Sequence, residues 1–414
     1  MIEGSMRKSP GRRPRLTRAV LAMTLGLSLL VSAPAGSREL VASSKKAELV
    51  ASSKNFELIN SISVPGIVVS GQLAGDTYFA SSWQSGLYSY DVSDPREPVA
   101  LGHIGPDELG VQSSENEQMA TNGKVLLLSR FNRTPANRLF VIDVRNPEEM
   151  EIIATLDGGG GHTTTCLFDC KWVYGSSSGS IVDLRDPSKP VLLANKWTEV
   201  IGDVAVHDLT EVRPGLIVTS STPMFAIDVS DPAKPRVLTS TDPEAPNTGH
   251  NNIWPRGGRD RFVISASEGS YNGRCELYGD DGKTLQVWRT DGWRKSGFRP
   301  AGSYTLANGI WSDGHPPVDY GIQGCSAHWA QEHPSFHDGG LVAMAAWSHG
   351  VRLLDISATG EPREVGYFFK DVQAAVDVEW VTDRLLYVVE DGSGGAVDII
   401  EYTGPLPKRP GPLS

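Results

Sequence analysis

Four histidines recur at similar positions along the chain, and they are the residues whose type and spacing could do chemistry. They are His162, His207, His250 and His328, and each precedes a very apolar run, by about ten residues in the first three cases and by somewhat more in the last. Neutral imidazoles that converge on one point are ligands for Fe, Cu, Mn and Zn. A histidine set with an open coordination position suits a redox metal or a Lewis acid that activates water or dioxygen. The spacing therefore predicts a metal site if the fold brings these positions together.

Acidic residues occupy the corresponding place in two further segments. Glu115 and Glu117 lie in SSENEQM, and Asp377 lies in AAVDVEW. Glu268 and His349 follow apolar runs and could line the same site, although Glu268 fits an ordinary turn carboxylate better. All five are candidates to surround the histidines, and carboxylates would add oxygen ligands to an imidazole set.

A repeated phrase identifies the elements that must position these residues. Each copy is an apolar run that ends in Asp, followed by a turn that usually contains Pro; the copies are YDVSDPREP, IDVRNPEEM, VDLRDPSKP, IDVSDPAKP and LDISATGEP. Seven very apolar runs alternate with these phrases: DTYFASS, KVLLLSR, KWVYGSS, GLIVTSS, RFVISAS, GLVAMAA and RLLYVVE. A unit that recurs every ~40–50 residues indicates a stack or ring of small sheets. The pattern predicts an all-β, seven-bladed β-propeller of four-stranded antiparallel blades.

In a propeller the first strand of every blade lines the central channel, so residues that are equivalent by repeat converge on one axis. The histidines and acids described above then become channel residues. The opening strand, Phe56–Val64, is expected to complete the last sheet, because closure of the ring removes exposed edges. The aspartates of the repeated phrase are expected to be structural, since Asp accepts hydrogen bonds from backbone amides two residues later.

The repeat resembles that of the LVIVD-repeat family of secreted seven-bladed propellers. The variants here are LFVIDV, FAIDVS and VRLLDI, and HTTTCLFDC and GHNNIW are similar to segments of actinobacterial-type members. The resemblance covers about residues 56–403 and implies the fold, but it implies little chemistry. The fifth repeat departs from the pattern, because LQVWRTDGW lacks the Asp-Pro turn.

Two other interpretations of the histidines stay open at this point. An inner-strand histidine can hydrogen-bond the backbone of the neighbouring blade and simply hold the ring together, or the channel can be a polar ligand pocket without metal. Carotenoid-cleaving oxygenases place histidine ligands on inner propeller strands, which is an analogy of architecture without a sequence match. His333 and His337 lie in a loop, where solvated histidines are common.

The chain begins with a segment typical of export. Six basic residues precede an apolar run, Ala33-Pro34-Ala35 offers a cleavage site, and residues 1–35 therefore read as a signal peptide. Residues 36–55 carry a duplicated ELVASSK and are predicted to be a flexible linker, 56–404 the propeller, and 405–414 a Pro-rich tail. We expect a secreted, monomeric protein without an integral membrane span in the mature chain.

Charge and cysteines support this interpretation. Loss of the signal moves the net charge from −11 to −16, which argues against binding to nucleic acid. Four cysteines in an exported chain favour disulfides, which we expect to pair Cys166 with Cys170 and Cys275 with Cys325, although four cysteines allow three connectivities.

Two function classes follow from the sequence. The first is a rigid secreted scaffold that presents its loop face or channel mouth to a protein or small-molecule ligand, with a metal site in the channel. The second is a metal-dependent oxidoreductase or hydrolase that uses the inner-strand histidines. A transition metal is the expected cofactor, with Cu or Fe favoured over Zn or Mn. Without that metal, no cofactor is implied.

Overall fold

The regular secondary structure of the described residues is almost entirely β-strand. The computed structural model describes residues 49–109, 117–130, 137–245, 249–255, 262–268, 285–290, 297–306, 326–347, 349–370, 374–391 and 395–406. Within these residues it forms seven antiparallel sheets and one short 3₁₀ turn at Trp197–Val200. The described strands belong to one compact unit, Ser44–Ser414. The predicted seven-bladed β-propeller is confirmed.

Each blade starts with an inner strand and continues with an apolar second strand. The inner strands of blades 1 to 7 are β3 (Val68–Ala74), β7 (Ala120–Thr121), β11 (Thr164–Leu167), β15 (Val206–Arg213), β19 (Asn251–Ile253), β23 (Ala330–Glu332) and β27 (Ala374–Trp380). The second strands are β4 (Thr77–Ser82), β8 (Val125–Arg130), β12 (Trp172–Gly175), β16 (Leu216–Ser221), β20 (Phe262–Ala266), β24 (Gly340–Ala345) and β28 (Leu385–Asp391). These second strands are almost wholly buried, as the seven apolar runs predicted.

The third strands of blades 1 to 4 and blade 6 carry the repeated phrase, and those of blades 5 and 7 occupy the same place without it. The third strands are β5 (Gly86–Asp91), β9 (Arg138–Asp143), β13 (Ile181–Asp183), β17 (Phe225–Asp228), β21 (Leu285–Thr290), β25 (Val351–Ile356) and β29 (Ala396–Tyr402). The outer strands are β6 (Val99–Ile104), β10 (Glu151–Asp157), β14 (Val191–Leu192), β18 (Arg236–Ser240), β22 (Phe298–Tyr304), β26 (Pro362–Lys370) and, for blade 7, β2 (Phe56–Ser63). Blade 7 therefore combines both ends of the propeller chain, as expected from ring closure.

A fifth strand extends blade 6. Residues Leu49–Ser52 form β1 and pair with β26, although they fall in the segment predicted to be a linker. The pairing covers the outer edge of β26, and the side chains of Ser53 and Asn55 add hydrogen bonds to the backbone of the same strand. A free sheet edge invites pairing, and this segment of chain supplies the partner.

The inner strands run in the same direction around the channel. Gln118 and Thr163 form a parallel bridge between blades 2 and 3. From blade 3 to blade 4, Thr163 Oγ1 donates to the carbonyl of His207 and Thr165 Oγ1 donates to the carbonyl of Leu209. From the first of these bonds to the second, both strands advance by two residues, so the two strands are parallel. Residues at the start of each inner strand therefore lie at the same end of the channel.

Four of the five aspartates of the repeated phrase are turn residues, as predicted. Asp91 Oδ1 accepts a hydrogen bond from the backbone N–H of Ser93, and Asp183 Oδ1 accepts one from Arg185. The same bond recurs at Asp143 and at Asp228. Each carboxylate therefore closes the turn that leads to the outer strand.

One disulfide lies in the described residues. Cys166 and Cys170 are bonded across the turn between β11 and β12, with their Cα atoms 4.4 Å apart. This agrees with the expected local pairing. The expected Cys275–Cys325 pair lies outside the described residues.

Candidate metal centre

The four histidines stand at the starts of four consecutive inner strands. His207 is the second residue of β15, His250 immediately precedes β19, and His162 and His328 come two residues before β11 and β23. Since these strands run in parallel, all four imidazoles reach the same end of the channel. Neighbouring rings are in contact, with centroids 4.8 Å apart for His162 and His207, 3.8 Å for His207 and His250, and 4.2 Å for His250 and His328.

The four Nε2 atoms converge on one carboxylate. His162 Nε2 lies 3.1 Å from Glu117 Oε1. The other three face Glu117 Oε2, at 3.2 Å for His207, 3.5 Å for His250 and 3.6 Å for His328. The glutamate is held in place from blade 2, because its backbone N–H donates to the carbonyl of His162. We call these five residues the histidine–glutamate cluster.

Backbone carbonyls fix the orientation of three of the rings. His207 Nδ1 donates to the carbonyl of His250 at 3.1 Å, and His250 Nδ1 donates to the carbonyl of His328 at 3.0 Å. His328 Nδ1 donates to the carbonyl of Val376 in blade 7 at 2.5 Å. A carbonyl can only accept, so each Nδ1 carries the proton and the Nε2 lone pair of a neutral ring is directed at the channel. This outer-shell arrangement is the one that orients metal-ligating histidines.

The charges in the cluster are coupled. Burial by itself raises the pKa of the Glu117 carboxyl, but the charge of His328 and the close imidazoles of His162, His207 and His250 outweigh it and hold that pKa well below its usual range. Burial lowers the pKa of His328, but the Glu117 carboxylate more than offsets this and raises it. The metal-free cluster thus pairs a carboxylate anion with a ring that gains a proton easily.

His250 behaves in the opposite way. Burial and the charges of His207 and His328 depress its pKa well below the ordinary range, so it is neutral at physiological pH. Glu268, which follows β20, reaches the cluster from the side, with Oε2 3.8 Å from His250 Nε2. Burial raises the pKa of Glu268. Its position beside two histidines differs from the turn role that the sequence favoured.

Two groups of candidate ligand atoms lie close enough together that they could hold a metal ion. The candidate ligand atoms of Glu117, His207 and His250 all lie within 4.8 Å of one another, and so do those of His250, Glu268 and His328. Glu117 Oε2, His250 Nε2 and His328 Nε2 are buried and make no hydrogen bond within the described residues. Buried polar atoms are rarely left without partners, and here they face each other across one small space.

The other predicted channel residues have different environments. Asp377 lies farther along the channel, where its Oδ2 accepts a hydrogen bond from the backbone N–H of Gly71 at 3.1 Å. Burial raises the pKa of Asp377 to about 6. His349 is buried in the turn after β24 and belongs to neither group of converging ligand atoms. Glu115 lies outside the described residues.

A cavity of about 570 Å³ adjoins the cluster inside the channel, and we call it the channel chamber. Glu117 lines it, and so does Trp329, whose ring centroid lies 5.6 Å from that of His250. Asp377 and Glu379 line it from β27. The cluster and the chamber therefore share a wall.

Comparison with known proteins supports the architecture. No family model and no curated protein matches the sequence. Among solved structures, a putative 6-phosphogluconolactonase from Bacteroides fragilis matches with a TM-score of 0.52 and 12% identity, covering 78% of this chain and 86% of that one. One from Bacteroides uniformis matches with a TM-score of 0.53 and 11% identity, covering 78% and 88%. The chain has the fold of these proteins. At such low identity the likeness shows the fold alone.

Sequence reasoning missed several chamber residues. Glu379 was not considered, although Asp377 and Glu379 alternate with valines along β27 and period-two alternation could have indicated it. Trp254 and Trp329, which also line the chamber, are buried. His333 is also buried rather than solvated, because its Nε2 donates to the carbonyl of Asp383.

Localisation has indirect support. A disulfide in the described residues is compatible with an exported protein. No helix in the described part of the chain is long and apolar enough to cross a membrane.

Proposed function

We propose that this chain is an exported, LVIVD-repeat-type propeller that binds one transition-metal ion in its channel through the histidine–glutamate cluster. The observation that carries the proposal is the convergence of four Nε2 atoms, from four consecutive blades, on the Glu117 carboxylate. The seven-bladed ring is the rigid scaffold that holds these side chains in register.

His162, His207, His250 and His328 would supply imidazole nitrogen, and Glu117 would supply carboxylate oxygen. This mixture suits Fe or Cu best and also accepts Zn or Mn. A bound ion would act as a Lewis acid, or as a redox centre if it is Fe or Cu. The chain's own contribution is orientation: three Nδ1–H groups are tied to carbonyls, so the rings cannot turn their lone pairs away from the channel.

Purely structural histidines are the main competing interpretation. The Nδ1 bonds do link neighbouring blades, so they stabilise the ring in either case. A structural role accounts for those bonds, but it does not account for buried Nε2 atoms of His250 and His328 that face a carboxylate without a hydrogen bond. Metal coordination accounts for the Nε2 atoms of these rings as well as for their Nδ1 hydrogen bonds.

A second candidate is a metal-dependent oxidoreductase or hydrolase. The observation that favours it is the channel chamber, because a cavity that shares Glu117 with the cluster could place a small molecule beside the metal. The 6-phosphogluconolactonase name of the structural neighbours implies a phosphorylated substrate. Carboxylates line this chamber, and the described lining has no lysine or arginine, so we do not extend that activity to this chain.

The test is metal content of the purified exported protein, before and after stripping and reloading with Fe(II), Cu(II), Mn(II) or Zn(II). We expect about one equivalent of a single preferred metal. His207→Ala should weaken retention by at least ~100-fold, whereas the matched control His103→Ala, on β6 outside the channel, should retain the metal. Less than roughly half an equivalent after reloading, or equal loss in both variants, would overturn the proposal.

A further inference from the structure

Acidic side chains surround the channel chamber. Five carboxylic acids line it, and its described lining contains no lysine, arginine or histidine; the acids are Glu117, Glu211, Glu332, Asp377 and Glu379. Three tryptophans, Trp254, Trp329 and Trp380, complete the wall. A concave space lined by one sign of charge concentrates ligands of the opposite sign.

Several buried polar atoms of these lining residues make no hydrogen bond to any residue that the structure describes. Asn252 is 2% exposed, and its Oδ1 makes no such bond, although its amide donates to the carbonyl of Thr219. Gln118 Oε1 and Glu379 Oε2 are also buried and make no hydrogen bond within the described residues. All three residues line the same cavity. Unpaired buried acceptors are costly, and a ligand with N–H donors would satisfy them.

The aromatic walls suit the same kind of ligand. The indole N–H of Trp329, which is 5% exposed, makes no hydrogen bond within the described part of the chain and could donate to a hydroxyl oxygen. Indole faces attract ammonium groups when these are removed from water. Acceptors, carboxylates and indoles together describe a ligand that carries positive charge, N–H donors and a hydroxyl group.

We propose that the channel chamber binds a small organic cation, an aliphatic amine in its ammonium form that carries a hydroxyl group. The ammonium group pairs with the Asp377 and Glu379 carboxyls, and the chain of the ligand extends along the tryptophans toward Glu117. This inference deepens the proposed function. It rests on that function in one respect only, namely that the amine is the molecule that the chamber presents to the metal.

The test uses three probes of equal length that keep one hydroxyl and differ at the other end: 4-amino-1-butanol, 1,4-butanediol and 4-hydroxybutanoate. Binding is measured by calorimetry and by tryptophan fluorescence at pH 8, first on full-length, metal-stripped protein. We expect one site for the amine, roughly tenfold weaker binding of the diol, and no measurable binding of the anion. Adding the amine to Cu(II)-loaded protein should change the Cu(II) electron paramagnetic resonance spectrum.

Two variants that each replace a carboxyl group by an amide locate the site. Glu379→Gln should weaken amine binding by roughly tenfold, whereas Glu57→Gln, on the exposed outer strand β2, should leave it unchanged; thermal melting checks that both fold. Equal binding of the three probes, no binding, or equal loss in the two variants overturns the inference. Failure of metal retention with intact amine binding overturns only the proposed metal function. Metal retention without amine binding overturns only this inference.

Discussion

The imidazole of His250 donates from Nδ1 to the backbone carbonyl of His328, 3.0 Å away in the next blade. His207 and His328 make the equivalent bond to the blade that follows each of them. Two described histidines outside the cluster are oriented in the opposite way. His103 and His333 place Nε2 against a carbonyl, at 2.6 Å and 2.9 Å. The fold therefore selects the Nδ1–H tautomer at these three channel histidines and the Nε2–H tautomer at the two outside the cluster.

This difference gives the first prediction, which concerns the tautomers of the neutral rings. In metal-stripped protein at alkaline pH, His207, His250 and His328 should carry the proton on Nδ1, because only a protonated nitrogen can bond a carbonyl. Long-range ¹H–¹⁵N correlation spectra of protein labelled at histidine measure the tautomer of each ring. His103 serves as the internal control and should carry its proton on Nε2. An Nε2–H tautomer at His250 would mean that its lone pair is turned away from the proposed metal.

The second prediction concerns proton competition at the cluster. Metal ligation needs neutral imidazoles, so protons and metal compete for the same Nε2 atoms. Because Glu117 raises the pKa of His328, retention should already weaken above the ordinary histidine value of 6.5 and fall further as the pH decreases. Apparent metal affinity measured from pH 5.5 to 8.5 tests this.

Glu117→Gln separates the two roles of that carboxylate, which are to bind the metal and to raise the pKa of His328. The variant loses an anionic ligand, so its affinity at pH 8 should fall by roughly 10–100-fold. It also removes the charge that favours protonated His328, so the pH at which retention fails should move down. Unchanged affinity together with an unchanged pH profile would contradict the placement of Glu117 in the centre.

The third prediction concerns Glu379, a chamber residue outside the cluster. Burial and the nearby Asp377 raise its pKa to about 8, against an ordinary value of 4.5. Below pH 4.5 the carboxyl is protonated in both folded and unfolded chains. As the pH rises from there to 8, the unfolded chain loses the proton first, and the folded state loses relative stability. Above pH 8 the difference is constant.

Glu379→Gln removes this titration, so the variant should match the wild type at pH 4.5 and melt higher at pH 8, by roughly 2–4 °C or more. Melting curves across this pH range measure the difference. Glu57→Gln, on the exposed face of β2, is the matched control and should show no such divergence. A constant difference between variant and wild type at every pH would contradict the raised pKa.

The sequence predicted the ring and the convergence of the histidines because both depend on the repeat. His207 and His250 share no local motif, and only their equal position relative to the apolar strands brings them together in space. Glu379 and Glu268 could not be placed in the same way. The role of Glu379 depends on which side of β27 faces the channel, and a one-residue difference in register reverses that side. The role of Glu268 depends on how closely the turn after β20 approaches the channel.

The last prediction concerns closure of the ring. Strand β2 pairs with β29 from Phe56 opposite Tyr402 to Ser63 opposite Ala396, and Phe56 packs on the ring of Tyr402. Removing residues 1–63 would expose the edge of β29 and the buried side chains beneath it, at a cost of several kcal/mol, since each buried apolar side chain contributes ~1.5–3 kcal/mol.

Removing residues 1–52 is the matched control, because the one described element that it deletes is β1, the fifth strand of blade 6, and it leaves β2 in place. Urea unfolding should show a small loss for this shorter deletion. The longer deletion should unfold at much lower urea or aggregate through the open edge of β29. Equal stability of the two truncated chains would mean that blade 7 holds without its outer strand. The ring would then depend on contacts between inner strands, the same contacts that carry the Nδ1 hydrogen bonds of the cluster.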